Sequence, residues 1–147
     1  MTGLDVFDRT VHTTNVWLKD VMGELQWDDR HRAYEALRGS LHALRDRLTV
    51  AEATDLGAQL PMLIRGLYYE GWNPSKTPHK ERRKEEFLHH VQEAFRTTSV
   101  ASDIDPERVV RAVFRVLSKH VSEGEIKDIK SSLPEALKDL WAASNTA

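Results

Sequence analysis

The histidines are the residues of this sequence best suited to chemistry, because imidazole can transfer protons and bind metal ions. There are seven in 147 residues, and there is no cysteine, which excludes disulfides and thiolate metal sites. Glu86 and His89 form one Glu-x-x-His pair, but a ferritin-like di-iron site needs two such pairs and two further glutamates. Because no second pair occurs, we predict no metal site and no cofactor, with the histidines solvated or at the edge of the core.

Motifs for catalysis are also missing from the sequence. It contains no Gly-x-Ser-x-Gly around a nucleophile, no P-loop and no Gly-x-Gly-x-x-Gly. Adjacent acids occur at Asp28-Asp29 and Glu85-Glu86, where they are typical of helix caps or solvated helix faces. We therefore predict no catalytic residues and a protein that is not an enzyme.

One basic segment, residues 76–84, has the composition of an anion-binding site. A helix is predicted to begin inside it, and helix N-termini attract anions. The alternative is a solvated face balanced by Glu85 and Glu86. The segment has no aromatic residues to stack on bases, and the whole chain carries a net charge of −2, which argues against a nucleic-acid partner. The candidate anion-binding residues are Lys76, His79, Lys80, Arg82 and Arg83.

A candidate protein interface consists of Arg65, Tyr69 and Trp72. Helical spacing places Tyr68 and Trp141 in the core, whereas Tyr69 and Trp72 fall off that stripe, beside a loop rich in glycine and proline. Large aromatic residues next to arginine are typical of interface hot spots. The alternative is a loop that folds back and buries its own tryptophan.

The composition fits one folded domain over residues 1–147. Hydrophobic residues make up 40% of the chain and charged residues 30%, which is too apolar for a disordered chain and too polar for a membrane protein. We see no stretch that would span a membrane and no signal peptide at the start. Together with the absence of cysteine, this leads us to expect a cytoplasmic protein.

Apolar residues recur at helical spacing along the chain and predict an all-α fold. The valines between 109 and 116 are β-branched, but Asp105-Pro106-Glu107 is a strong helix start and the spacing favours a helix over a strand. Two other helices share a different start signal. Thr49 with Glu52, and Ser122 with Glu125, form capping boxes, in which each side chain accepts a hydrogen bond from the other residue's backbone N–H.

A shift of 73 residues aligns the two halves of the sequence without a gap. It aligns the capping boxes and the two Leu-Pro pairs, at 60–61 and 133–134, where proline predicts a break and a new short helix. We therefore predict a helical bundle of two tandem, pseudo-symmetric three-helix repeats, spanning about 4–72 and 78–143, with the third helix of each broken at Leu-Pro. Such a bundle has six helices, or eight if the breaks are counted.

Several segments resemble a widespread bacterial family that is catalogued as a domain of unknown function, with the serial number twenty-two sixty-seven. The likeness extends from about Phe7 to Trp141 and implies a helical domain that occurs alone or beside other modules. It implies no activity, cofactor or catalytic residue. The segments that carry the likeness are Arg32-Ala33-Tyr34 through Leu44-Arg45-Asp46-Arg47-Leu48-Thr49, Gly57-Ala58-Gln59-Leu60-Pro61, Arg65-Gly66-Leu67-Tyr68-Tyr69-Glu70-Gly71-Trp72 and Glu123-Gly124-Glu125.

Two functions follow from these features. The first is a non-enzymatic interaction or regulatory module that binds a protein partner or a second copy of itself, as the missing chemistry and the aromatic cluster suggest. The alternative is a helical pocket for a small anionic ligand, built from the basic segment and Arg65. Salt separates the two, because screening weakens an anion site more than an apolar interface.

Overall fold

The computed structural model describes residues 3–96, 98 and 104–142, so the predicted end of the second repeat, at residue 143, lies outside the described residues. Within this part the protein is all-helical, with eight α-helices, two short 3₁₀ helices (Pro74–Lys76 and Asp139–Trp141) and no β-strand. The α-helices are α1 (Asp5–Leu25), α2 (Arg30–Arg47), α3 (Val50–Gln59), α4 (Met62–Tyr69), α5 (Lys84–Phe95), α6 (Pro106–His120), α7 (Glu123–Ser132) and α8 (Glu135–Lys138).

Side-chain caps explain where most of these helices begin. The carboxylate of Asp29 accepts hydrogen bonds from the backbone N–H groups of His31 and Arg32 at the start of α2. Asp105 caps α6 in the same way, with Pro106 as its first residue. The valine-rich segment lies inside α6, so the prediction of a helix there is confirmed.

Half of each predicted capping box forms as expected. The hydroxyls of Thr49 and Ser122 accept hydrogen bonds from the backbone N–H groups of Glu52 and Glu125, each at 3.2 Å. The second predicted hydrogen bond of the Ser122 box, from the Ser122 backbone N–H to the Glu125 carboxylate, is wrong, because this N–H donates to Oε1 of Gln59 at 3.0 Å. Gln59 reaches this position because α3 packs against α7, and its amide nitrogen donates back to the Ser122 hydroxyl at 3.1 Å.

The core lies between α1, α2, α5 and α6, which pack against one another in pairs. Helices α2 and α6 contribute most of it, since each presents small and branched side chains that are completely buried. None of the helices in the described ranges is long and apolar enough to cross a membrane. The fully buried residues of α2 and α6 include Ala33, Ala36, Leu37, Leu41, Leu44, Val109, Val110, Ala112, Val113 and Leu117.

Candidate functional site

Arg65, one of the predicted interface residues, lies on α4 with its guanidinium against the end of α3. Its Nε donates to the carbonyl oxygen of Gly57 at 2.8 Å, and its Nη2 donates to that of Leu60 at 2.8 Å. Carbonyl groups at the end of a helix lack the i+4 N–H partners of the helix interior. That of Gly57 accepts only the N–H of the C-cap residue Leu60, at 3.1 Å, besides Arg65 among the described residues. The structure therefore uses Arg65 to cap α3 and to fix α4 beside it.

Tyr69 and Trp72 are half-buried and pack against the edge of the core. Their rings stack at a centroid distance of 5.3 Å. Tyr69 also lies so close to Gly57 that a Cβ atom there would collide with its ring and hydroxyl group. The structure thus brings Arg65, Tyr69 and Trp72 together around the junction of α3 and α4, with the two aromatic residues half-buried and Arg65 exposed.

The candidate anion-binding residues of the basic segment differ in how exposed they are in the structure. Lys76, Lys80, Arg82 and Arg83 are exposed, whereas His79 is half-buried. At the start of α5 the carboxylate of Glu86 accepts hydrogen bonds from the backbone N–H groups of Arg82 and Arg83, at 3.3 and 3.1 Å. The N–H of Arg83, at the N-cap of α5, is one of those that an anion at this helix N-terminus would need.

His79 instead joins a cluster with Glu81 and His90, a group that sequence spacing did not predict. The Glu81 carboxylate lies 3.3 Å from Nδ1 of His79 and 3.1 Å from Nδ1 of His90. The two imidazole rings stack at a centroid distance of 4.7 Å. Asp46, at the end of α2, places Oδ2 3.7 Å from Nε2 of His90.

The backbone of this cluster is tied to the end of α2. The N–H of His79 donates to the carbonyl oxygen of Asp46 at 2.7 Å, and Nε of Arg47 donates to that of Glu81 at 2.6 Å. The ligand-type residues are thus brought together by tertiary hydrogen bonds across more than thirty positions of sequence. The helical spacing of Glu and His in the sequence does not predict this cluster, and its only local signal is the His-x-Glu of residues 79–81.

A buried acidic pair occupies the contact between α3 and α7. Glu125 is only 8% exposed, and Oε2 of both Glu52 and Glu125 is buried without a hydrogen-bond partner among the described residues. Burial, together with the neighbouring charges of Glu52, Asp55 and Asp128, raises the pKa of Glu125 to about 6. Burial and the charges of Asp55 and Asp128 likewise raise the pKa of Glu52.

Helices α1 and α4 form an apolar surface depression, which we call the α1–α4 groove. Its volume is about 510 Å³. Phe7, Met62 and Leu63 are 56%, 44% and 43% exposed, although each is a large hydrophobic residue. The groove is lined by Phe7, Thr10, Val11, Tyr34, Met62, Leu63, Gly66, Leu67 and Glu70.

Comparison with curated proteins finds no match for this chain. A comparison with protein families does find one. The model of a family described as "Uncharacterized conserved protein (DUF2267)" matches residues 14–140, nearly the whole chain. This match, together with the all-helical fold, places the chain in a family: the protein belongs to the uncharacterized conserved family DUF2267.

Proposed function

We propose that this protein is a non-enzymatic interaction module that binds an apolar segment of a partner protein, or of a second copy of itself, in the α1–α4 groove. One observation carries the proposal. Four large hydrophobic residues that are strongly exposed line two surface depressions between α1 and α4 that share Met62: Val6, Phe7, Met62 and Leu63. Contiguous apolar surface of this kind marks interaction sites, since leaving it in water is unfavourable.

The groove has a firm frame, which supports a binding role. Oγ1 of Thr10 accepts a hydrogen bond from the N–H of Leu63 at 3.0 Å and so ties α4 to α1. The far end of α4 is held by Arg45, which is almost fully buried and donates to the carbonyl oxygens of Tyr68 and Glu70 at 2.8 and 2.9 Å. A groove held at both ends loses little conformational entropy when a partner binds.

Arg65, Tyr69 and Trp72 enter this proposal as supports of the docking face. Arg65 and Tyr69 both contact Gly57 and fix the rotation of α4 about its own axis. That rotation turns Met62 and Leu63 outward while Ile64 and Tyr68 face the core. The aromatic cluster thus acts on binding through the orientation of α4.

The test compares Leu63→Glu with Val50→Glu. Both side chains are 43% exposed, but Val50 begins α3 and does not line the groove. If the groove binds a second copy, sedimentation should show that the wild type and Val50→Glu self-associate and that Leu63→Glu does not. If it binds another protein, the wild type and Val50→Glu should retain that protein from host-cell extracts, and Leu63→Glu should not. Equal behaviour of all three chains would contradict the proposal. Retention that is lost only at high salt would favour the anionic-ligand alternative.

We also propose that the two halves are tandem repeats of one three-helix unit. The 73-residue shift carries α3 onto α7 end to end, and Arg47, the last residue of α2, onto His120, the last of α6. It also aligns Pro61 with Pro134, each of which immediately precedes a short helix. An experimental structure in which residues 41–68 superpose on 114–141 would support the repeat, and halves of different geometry would contradict it.

A further inference from the structure

We propose that His79, Glu81 and His90 bind a divalent zinc ion that fastens the connection between α4 and α5 to the end of α2. The inference is independent of the α1–α4 groove and of the interaction role. Its basis is that one ring nitrogen from each histidine and one carboxylate oxygen of Glu81 all lie within 4.8 Å of one another.

The donor set suits zinc. Imidazole nitrogen and carboxylate oxygen are ordinary zinc ligands, with bonds of about 2.0–2.2 Å that meet at tetrahedral angles, so the donor atoms of a zinc site lie about 3.3 Å apart. One oxygen of the Glu81 carboxylate, Oε2, is 3.3 Å from Nδ1 of His79, and the other, Oε1, is 3.1 Å from Nδ1 of His90. An imidazole binds a metal ion in the plane of its ring, and the two stacked rings have planes only 17° from parallel, so one ring must turn out of the stack before both nitrogens reach one ion.

A neighbouring carboxylate orients one of these ligands. Histidines that bind metal usually donate their second ring N–H to a carboxylate, which fixes the ring and raises its basicity. When Nδ1 of His90 binds the ion, its Nε2 faces Asp46 Oδ2 at 3.7 Å. Asp46 is itself held by a 2.8 Å ion pair with the buried Arg45.

The position of the site indicates a structural role. His79 and Glu81 lie in the connection between α4 and α5, which contains only one short 3₁₀ helix, whereas His90 lies on α5. Two hydrogen bonds, one from the backbone N–H of His79 and one from the side chain of Arg47, already tie this connection to α2, and an ion would add a third link. The three ligand side chains are 15–36% exposed, so the ion can reach them, and a water molecule can complete its shell.

The test is a zinc titration of the full chain without an affinity tag, followed by calorimetry. The wild type should bind one equivalent of Zn²⁺. Both His90→Ala and Glu81→Gln should weaken this binding by about 10-fold or more, and Asp46→Asn should weaken it by at most about 100-fold. His89→Ala is the matched control, because His89 is the exposed neighbour on α5 and should leave binding unchanged.

Thermal unfolding gives a second readout that also reveals whether each variant folds. Excess Zn²⁺ should raise the midpoint of the wild type and of His89→Ala by mass action, and should not raise that of His90→Ala or His79→Gln. Substitution at three separate ligands keeps the test decisive if one variant does not fold. Zinc binding of equal strength in wild type and Glu81→Gln, or no stoichiometric binding by the wild type, would overturn the proposal.

Discussion

Glu125 is a carboxylic acid in an unusual environment, because it is only 8% exposed. Its carboxylate is buried between α3 and α7 and faces the charges of three other acids, and one of its oxygens has no hydrogen-bond partner in the part of the chain that the structure describes. The sequence identified Glu125 only as part of a capping box. Its burial depends on how α7 packs against α3, which no local pattern specifies.

This environment predicts an unusual dependence of stability on pH. The pKa of Glu125 is raised from 4.5 to about 6 on folding, so between those values the folded chain holds more protons at this carboxyl than the unfolded chain. The free energy of unfolding therefore falls as pH rises through that window and stays lower above it. Glu125→Gln has no carboxyl group to ionise, so it should not lose stability in this window and should be more stable than the wild type by roughly 1–2 kcal/mol at pH 7.

Denaturant unfolding of wild type and Glu125→Gln at a series of pH values measures this effect. The gain of the variant should grow between pH 4.5 and about 6. Glu123→Gln, an exposed change on the same helix, should show no such growth. A gain for Glu125→Gln that is independent of pH would be evidence against a buried, repelled carboxylate.

The two helix caps give a second prediction at the residue scale. Thr49→Ala and Ser122→Ala each remove a hydroxyl that accepts a backbone N–H, and each should cost about 0.5–2 kcal/mol of stability. Replacement of Ser122 also removes the partner of the Gln59 amide, so its cost should be the larger. Urea unfolding measures both costs, and midpoints equal to that of the wild type would show that these residues do not cap α3 and α7.

Helices α2 and α5 pack so closely that the size of the residue at their contact is restricted. Gly39 lies in α2 where a Cβ atom would come within 2.5 Å of Cε1 of Phe95, on α5. Gly39→Ala should therefore destabilise the protein by roughly 1–3 kcal/mol, despite the better helix propensity of alanine.

Gly23 provides the matched control for this change. It lies inside α1, and a Cβ atom added there would contact none of the other described elements within 4 Å, so Gly23→Ala should stabilise the protein by about 1 kcal/mol or less. Thermal unfolding of the two variants compares the effects directly. A stabilising Gly39→Ala would mean that α2 and α5 do not pack closely at this point.

Elements with local signals were predicted well from the sequence. The caps at Thr49, Ser122 and Asp105 placed the starts of α3, α7 and α6, because a cap and the helix it begins are neighbours in sequence. Side-chain roles that join distant elements were not predicted. Arg45 is an example: nothing in the sequence near it indicates that its buried side chain binds the carbonyl groups at the end of α4.

For the whole molecule, local sequence patterns predict the fold, whereas the candidate sites depend on contacts between distant segments. Periodicity was sufficient for an all-α protein, because each amphipathic helix carries its own pattern. The α1–α4 groove depends on Phe7 meeting Leu63, and the histidine cluster on Asp46 meeting His90. Neither pairing leaves a periodic trace in the sequence.

The central claim is that the α1–α4 groove binds another protein, and photo-crosslinking in the native host tests it most directly. A photoreactive amino acid is placed at Met62, in the groove, or at Val50, which is similarly exposed at 43% against 44% but lies outside it. The proposal predicts a discrete crosslinked protein, or a crosslinked dimer, from position 62 and none from position 50. No crosslink from position 62, or the same products from both positions, would contradict it.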